Sequence, residues 1–273
     1  MLTMGIEAKM LVLPYYEIEH PEISRIRVFP TPKETAQGMA GEIIELVRTN
    51  PQAAITYATG DTVIPLYESL SKAAEEGRVD FSQTSAFHLD EYYPCGPDIN
   101  EYPHSFVAYL RQRVFDPLVI KNANEMNGLA SDPVAEAERY DSLLSAQPIE
   151  IAILGIGPWS AETQTGGHIA FNESGTRFNQ RVHVQTLDRV TLMRDRQERG
   201  QKSPDRALTQ GIANILEARR IFLLAYGEGK GQSLREALYG EIGPQRPASA
   251  LRLQGHKVTI FIDEAAASQL QKL

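Results

Sequence analysis

Residues 25–58 read RIRVFPTPKETAQGMAGEIIELVRTNPQAAITYA, a short apolar run, a longer helical pattern and a second apolar run. Arg25–Phe29 and Ala53–Ala58 are rich in β-branched and aliphatic residues, which is typical of strands. Between them, the run TPKE combines a capping threonine, a proline at the first helical position and a glutamate two residues later. This start signal predicts a helix over Thr31–Arg48, so the stretch as a whole predicts a strand–helix–strand unit.

The same alternation continues along the chain. Further strands are predicted at Thr84–His88, Glu150–Gly155, Ile221–Ala225 and Lys257–Ile262. Further helices are predicted at Ile64–Glu76, Pro103–Phe115, Pro133–Ala146 and Ala207–Ala218. Most of the strands are too apolar for a sheet with one wet face, which favours parallel strands covered on both sides. The pattern predicts a three-layer α/β/α sandwich with a mostly parallel, Rossmann-like sheet, and we expect one domain over residues 1–273 with a short extension at about residues 1–20.

Composition excludes several classes of protein. The 273 residues include 27 Lys and Arg against 35 Asp and Glu, a net charge of −8 that argues against a general nucleic-acid binder. Cys95 is the only cysteine, which excludes an internal disulfide and a zinc site of several thiolates, so we expect no metal and a reducing, cytoplasmic setting. No apolar stretch approaches a membrane span, and residues 1–12 lack the long apolar core of a signal peptide.

Ligands of such sheets bind beyond the carboxyl ends of the strands, so the loops there carry the candidate sites. The first loop is Thr59-Gly60-Asp61-Thr62, which follows a strand and precedes a helix. A glycine turn and a helix start offer backbone amides to a phosphate. Alternatively, Asp61 or Thr62 simply caps the helix. The carboxylate of Asp61 counts against phosphate because like charges repel.

The second loop places Asp90 and Glu91 side by side at a strand end. A partly desolvated carboxylate there has a raised pKa, which suits proton abstraction. The alternative is a capping or ion-paired acidic pair on a wet loop, and two acidic residues alone favour that alternative.

The third loop combines Gly155-x-Gly157 with Gly166-Gly167-His168 and, five residues after the histidine, Glu173. Gly157 and Gly167 allow the backbone to approach a ligand closely. His168 and Glu173 are near enough for an imidazole with an orienting carboxylate, although a lone histidine is more often structural. The glycines do not form a dinucleotide fingerprint, because the third glycine is absent at its required spacing.

The fourth loop is Tyr226-Gly227-Glu228-Gly229-Lys230, after the strand Ile221–Ala225. A lysine on a glycine-rich turn at a strand end can neutralise a phosphate. A solvated lysine before a helix is at least as good an interpretation. The spacing excludes a Walker loop.

Taken together, these loops resemble the glucosamine-6-phosphate deaminase/isomerase family, within the group that includes the 6-phosphogluconolactonases. The resemblance runs from about Arg25 to about Leu270. Its most specific stretch is GHIAFNE at Gly167–Glu173, and Asp-Glu-Tyr at residues 90–92 matches a second family segment. Lactonases typically have Asp-Glu-Arg and Ser-Leu-Phe-Pro at these places, so the aminosugar branch is favoured.

The resemblance implies aldose–ketose isomerisation and deamination of a phosphorylated aminohexose. Asp90 resembles the base that moves the proton from C2 to C1, His168 the group that handles the ring-oxygen proton, and Glu173 its carboxylate partner. Water then attacks the iminium at C2. No cofactor is implied, because proton transfer beside a carbonyl or imine needs only placed acid–base groups.

For the phosphate, the resemblance implies the loop Thr59–Thr62, Lys230 and an arginine after the histidine motif. Arg196 is the best candidate for that arginine and Arg194 the next, since the alignment drifts there. The expected partner is a small sugar phosphate, without nucleic acid or membrane, and a homo-oligomer is possible from the family.

Two departures keep alternatives open. Gly166 stands where the family usually has Asp or Asn, and about seven extra residues within Pro158–Thr165 precede it. The alternatives are a related sugar-phosphate isomerase or 6-phosphogluconolactonase-like hydrolase with an altered substrate, and a catalytically impaired sugar-phosphate sensor.

Overall fold

The structure, a computed structural model, describes residues 13–199 and 203–270. Its strands, in chain order, are β1 (Tyr16–Glu17), β2 (Arg25–Phe29), β3 (Ala54–Tyr57), β4 (Ser85–His88), β5 (Asp90–Tyr93), β6 (Asn122–Asn124), β7 (Ile151–Leu154), β8 (Trp159–Ser160), β9 (Thr165–Gly166), β10 (His183–Thr186), β11 (Arg206–Thr209), β12 (Arg220–Ala225) and β13 (Val258–Asp263). Its α-helices are α1 (Pro32–Thr49), α2 (Ile64–Glu75), α3 (Phe106–Leu110), α4 (Pro133–Ala146), α5 (Arg189–Arg199), α6 (Ile212–Glu217), α7 (Gly231–Tyr239) and α8 (Glu264–Ala267). Among the described residues, none of these helices is long and apolar enough to span a membrane.

The central sheet has eight strands in the order β1-β2-β13-β12-β7-β3-β4-β6. Seven of them are parallel, and the edge strand β1 runs antiparallel to β2. The chain builds outward in one direction through β3, β4 and β6, then in the other through β7, β12 and β13. The order therefore reverses between β3 and β7, where sheets of this kind open a crevice for ligands. The predicted fold class is confirmed.

Helix α1 shows how the sequence specifies one layer. The side chain of Thr31 accepts a hydrogen bond from the Glu34 amide (3.2 Å), and its hydroxyl donates to the Glu34 carboxylate (2.7 Å). The buried side chains Met39, Ile43 and Val47 recur at a spacing of four, which places them on one face. That face packs on the sheet and leaves the capped, polar end at its rim.

Two predicted helices need correction. The prediction Ala207–Ala218 is wrong in its first part, because Arg206–Thr209 forms β11 in a second, antiparallel sheet of order β10-β11-β5. Pairing with strands on both sides outweighs the helix propensity of Ala and Leu there. The prediction Pro103–Phe115 starts too early, since Ser105 caps α3 by accepting the Ala108 amide (3.1 Å). Arg111–Phe115 continues α3 as a π-helical turn.

The N-terminal segment and the extra residues before His168 also form short strands. Residues 1–12 of the predicted N-terminal extension lie outside the described residues, and Tyr16–Glu17 pairs with β2 at the sheet edge. The extra residues before His168 form the β8–β9 hairpin, in which Trp159 pairs with Gly166. The Arg246 guanidinium lies 5.0 Å from the Trp159 ring centroid, a cation–π contact that anchors the hairpin.

Candidate active site

One cavity opens at the carboxyl ends of β3, β4, β7 and β12, four neighbouring strands of the sheet. Most of the residues proposed from the sequence line it: Thr59, Gly60, Asp61, Thr62, Asp90, Gly157, His168 and Lys230. Glu173 lies behind His168 and contacts its ring. Gly167 and Arg196 do not line the cavity. Loops far apart in sequence thus meet because parallel strands end at the same edge.

Asp90 is 5% exposed and begins β5 at the cavity wall. The imidazole of His88 donates from Nδ1 to the Asp90 carbonyl (2.9 Å) and accepts the Met126 amide at Nε2 (2.7 Å). Burial lowers the pKa of His88 to about 4, so this ring is neutral and its tautomer is fixed by its two partners. The backbone that carries the Asp90 carboxylate is therefore held in place.

Glu91 faces the other way and does not line the cavity. Its carboxylate accepts the backbone amides of Phe106 (3.0 Å) and Val107 (2.8 Å) at the start of α3. Burial raises the pKa of Glu91 to about 7, although these amides oppose the rise. Of the two adjacent carboxylates, Asp90 alone is in a position to meet a ligand, while Glu91 fixes α3.

His168 is oriented by a carboxylate on one side and by bare backbone on the other. Its Nδ1 lies 3.1 Å from Oε2 of Glu173. A Cβ added to Gly157 would lie 2.3 Å from Cδ2 of His168, so the imidazole rests directly on the Gly157 backbone. The Gly157 amide also donates to the His168 carbonyl (2.8 Å). A side chain at position 157 would displace the imidazole, so the position requires glycine. Because Nδ1 contacts Glu173, Nε2 is the ring nitrogen that can meet a ligand.

Glu173 is itself held from the start of α5. Its Oε1 accepts the Thr191 hydroxyl (2.6 Å) and the Asp188 amide (3.3 Å). Burial alone would raise the pKa of Glu173, but hydrogen bonds from His168 and Thr191 hold that pKa below its usual value. Thr191 could not be predicted from the sequence, because it lies 18 residues from Glu173 in a helix that the pattern does not indicate.

Helix α5 also corrects the choice of arginine. Arg194 is half-buried and lines the cavity, whereas Arg196, favoured from the sequence, is exposed and lies outside the lining. Two residues along a helix correspond to about 200° of rotation, which turns the second side chain away. The buried Asp195 beside Arg194 accepts the Tyr92 hydroxyl (2.6 Å) and so fastens α5 to β5.

Two glycine turns bring further groups to the cavity. Gly60, with φ of 102°, turns the chain from β3 into the helical segment that follows. Gly227, with φ of 85°, does the same after β12, and its amide donates to the Asp263 carboxylate (3.0 Å). The ammonium of Lys230 then reaches the cavity and donates to the Ile156 carbonyl (2.7 Å). Asp61 is exposed beside these groups, so the acidic residue in the loop lies at the cavity as well.

Gly166 stands where the resemblance implies Asp or Asn, and its backbone leaves no room for either side chain. Its φ is +132°, a conformation that L side chains rarely adopt, and a Cβ there would lie 2.3 Å from the Pro158 carbonyl oxygen. The hairpin therefore fills this place, and Glu173 is the carboxylate that contacts the His168 ring. Gly167 is buried and serves the same hairpin, since its amide donates to the Pro158 carbonyl (2.8 Å).

Across residues 13–199 and 203–270, no group of three or more His, Cys, Asp and Glu side chains is arranged to hold a metal.

Comparisons with known proteins show what this chain is similar to. The sequence profile of the family described as glucosamine-6-phosphate isomerases/6-phosphogluconolactonase matches residues 30–260. A glucosamine-6-phosphate deaminase of Rhodopirellula baltica is 35% identical over 92% of this chain and 97% of its own length. One from Streptomyces coelicolor is 36% identical over 89% of this chain and 92% of its own length.

The solved structure of a monomeric glucosamine-6-phosphate deaminase superposes with a TM-score of 0.81 at 34% identity, over 89% of this chain and 99% of that one. A 6-phosphogluconolactonase from Trypanosoma cruzi shares the fold, with a TM-score of 0.69 at 19% identity over 93% of this chain and 99% of that one.

Proposed function

Because this chain belongs to the family of glucosamine-6-phosphate isomerases and 6-phosphogluconolactonases, we propose that it is an enzyme that converts glucosamine 6-phosphate and water to fructose 6-phosphate and ammonia. The observation that carries the proposal is the convergence of Asp90 with the His168–Glu173 pair on one cavity. The reaction moves a proton within the sugar and then replaces nitrogen by oxygen. It needs placed acid–base groups and no external electron acceptor.

Ring opening is the first step, and His168 is suited to it. With Nδ1 directed to Glu173, its Nε2 exchanges a proton with the ring oxygen as the C1–O bond breaks. The ionised Glu173 stabilises the imidazolium that forms when the ring takes up a proton. The Gly157 backbone keeps the ring in its plane throughout.

Isomerisation is the second step, and Asp90 is the proposed base. Its carboxylate removes the proton at C2 of the open-chain aldehyde, which carries an ammonium group, and returns it to C1. A second proton passes from the nitrogen to O1, which leaves a hydroxyl at C1 and an iminium at C2. Water adds to that carbon, and the C–N bond breaks to release ammonia and the ketose. The position of Asp90 suits this role, because this residue lines the cavity and is only 5% exposed, so little water competes with the sugar for it.

The phosphate would be bound by the cationic side chains and the glycine loop that line the same cavity. Lys230 and Arg194 supply positive charge, and the loop Thr59–Thr62 supplies hydroxyls and backbone amides. Arg194 replaces Arg196 in this proposal. A guanidinium suits a phosphate because it donates two parallel hydrogen bonds.

The test is a coupled assay of the purified chain for ammonia and fructose 6-phosphate. We expect equal amounts of both from glucosamine 6-phosphate. No release above background from this substrate or from galactosamine 6-phosphate would refute the proposal. 6-Phosphogluconolactone serves as the comparison substrate, and hydrolysis faster than its spontaneous rate would favour the lactonase alternative. Phosphate-dependent stabilisation without any turnover would favour a sensor.

A further inference from the structure

Arg113 also lines the cavity, in addition to the residues proposed to react with the sugar and to bind its phosphate. It lies in the π-helical turn Arg111–Phe115, a type of turn that is frequent at functional sites. Its guanidinium carbon lies 5.2 Å from the ring centroid of Tyr109. The hydroxyl of Tyr109 donates to the carbonyl of Gly60 (2.8 Å), which places Arg113 beside the loop proposed to bind phosphate.

The charges around Arg113 indicate what it binds. Its neighbour Arg111 forms a two-pronged ion pair with Glu125, at 2.7 and 2.5 Å. Arg113 forms no ion pair with any carboxylate of the residues that the structure describes. A cation that is held by an aromatic ring, faces a cavity and is left without an anion is suited to an anionic ligand.

The negative charge of Asp61 is the charge that Arg113 would offset. The exposed Asp61 lines the cavity in the phosphate loop, where its negative charge repels a phosphate dianion. Lys230 and Arg194 must otherwise overcome that repulsion alone. A further positive charge on the Tyr109 ring, next to the same loop, offsets it.

We propose that Arg113 is a phosphate-binding residue of this cavity that compensates for Asp61 and selects phosphorylated sugars. The inference rests on the proposed function for the identity of the sugar, and on the cavity alone for the anion. Arg113 contacts the part of the ligand that does not react, so it contributes to binding and leaves the chemical steps unchanged.

Arg113→Gln is the central variant and Arg111→Gln its matched control on the same turn. We expect Arg113→Gln to raise the KM for glucosamine 6-phosphate and the inhibition constant of inorganic phosphate about tenfold each, with kcat nearly unchanged. Arg113→Lys keeps the charge and restores most of the affinity. Arg111→Gln leaves both constants close to those of the parent. A KM and an inhibition constant for Arg113→Gln within about twofold of the parent would refute the inference.

Asp61→Asn provides the second arm. If the two charges offset each other at the phosphate, Asp61→Asn lowers KM in the parent and restores part of the affinity lost in Arg113→Gln. No recovery of affinity in the double variant would contradict the compensation.

Thermal stabilisation by inorganic phosphate separates the inference from the proposed reaction, since it requires no turnover. A rise in melting temperature for the parent and a smaller rise for Arg113→Gln would support the anion site even if no sugar were converted. Normal turnover with an undiminished rise in the variant would refute the role of Arg113 and leave the reaction standing.

Discussion

The two sides of the cavity differ in how their side chains are held. On the proposed catalytic side, defined by Asp90, His168 and Glu173, buried groups hold these residues in place through hydrogen bonds. On the phosphate side, defined by Thr59–Thr62, Arg113, Arg194 and Lys230, long cationic side chains converge from separate elements on one space. Chemistry requires placement to within a fraction of an ångström, whereas a dianion requires mainly charge. Substitutions on the first side should therefore change kcat, and those on the second side KM.

The largest effect is expected from Asp90→Asn. Loss of the base should lower kcat by about a thousandfold, because a positioned base contributes about 10²–10⁴ in rate. Exchange of the C2 proton, followed by mass spectrometry, should disappear. Stabilisation by inorganic phosphate should persist, which shows that the variant folds. Exchange at the parent rate would remove Asp90 from the role of base.

Gly157→Ala should have the second-largest effect. The added Cβ would meet the His168 ring at 2.3 Å, so the ring must move. A misplacement of about 1 Å costs about a hundredfold in kcat. Gly229→Ala is the control, because a Cβ there meets nothing within 4 Å. Steady-state kinetics distinguish the two. Equal, small effects of both changes would mean that the contact with Gly157 does not position the histidine.

Arg194→Gln and Arg196→Gln form a matched pair on the phosphate side. We expect Arg194→Gln to raise KM about tenfold with little change in kcat, because it removes one charge-assisted contact to the phosphate. Arg196 is exposed outside the cavity, so its replacement should change neither constant. The reverse result would restore the assignment favoured from the sequence.

Thr191→Val should have the smallest effect, about fivefold in kcat, since it removes one hydrogen bond to a charged group. That bond helps to hold the pKa of Glu173 below its usual value, so its loss raises this pKa. The carboxylate then takes up a proton at a higher pH, and activity in acid is lost at a less acidic pH than in the parent. Thr191→Ser keeps the hydroxyl and should retain the parent profile. A pH–rate profile that does not move in Thr191→Val would confine Thr191 to a structural role.

Much of the fold could be predicted from the sequence, because each parallel strand is a continuous apolar run between helix signals. Arg25–Phe29 and Ile221–Ala225 are examples. Strands that depend on partners could not be predicted in this way. Arg206–Thr209 contains good helix formers and becomes a strand because two other strands pair with it. The short strand Asn122–Asn124 has no apolar run at all and is formed by pairing with β4.

The candidate site likewise contains residues that could be predicted from the sequence and residues that could not. Asp90, His168 and Glu173 lie in short stretches of characteristic sequence, so the sequence alone was sufficient to propose them. Thr191 donates to Glu173 from 18 residues along the chain, and Tyr109, whose ring contacts Arg113, donates to the Gly60 carbonyl from 49 residues away. Only the packing of α5 and of the π-helical turn brings them to the cavity, and no local pattern marks them.

The central claim is that the chain deaminates its substrate by isomerisation, with the C2 proton removed first. The most direct measurement uses glucosamine 6-phosphate carrying deuterium at C2 and follows the products by NMR. We predict fructose 6-phosphate and ammonia in equal amounts, with the deuterium found at C1 or in water. Ammonia released together with glucose 6-phosphate that keeps its deuterium at C2 would contradict it, because the nitrogen would then have been displaced without any proton transfer from carbon.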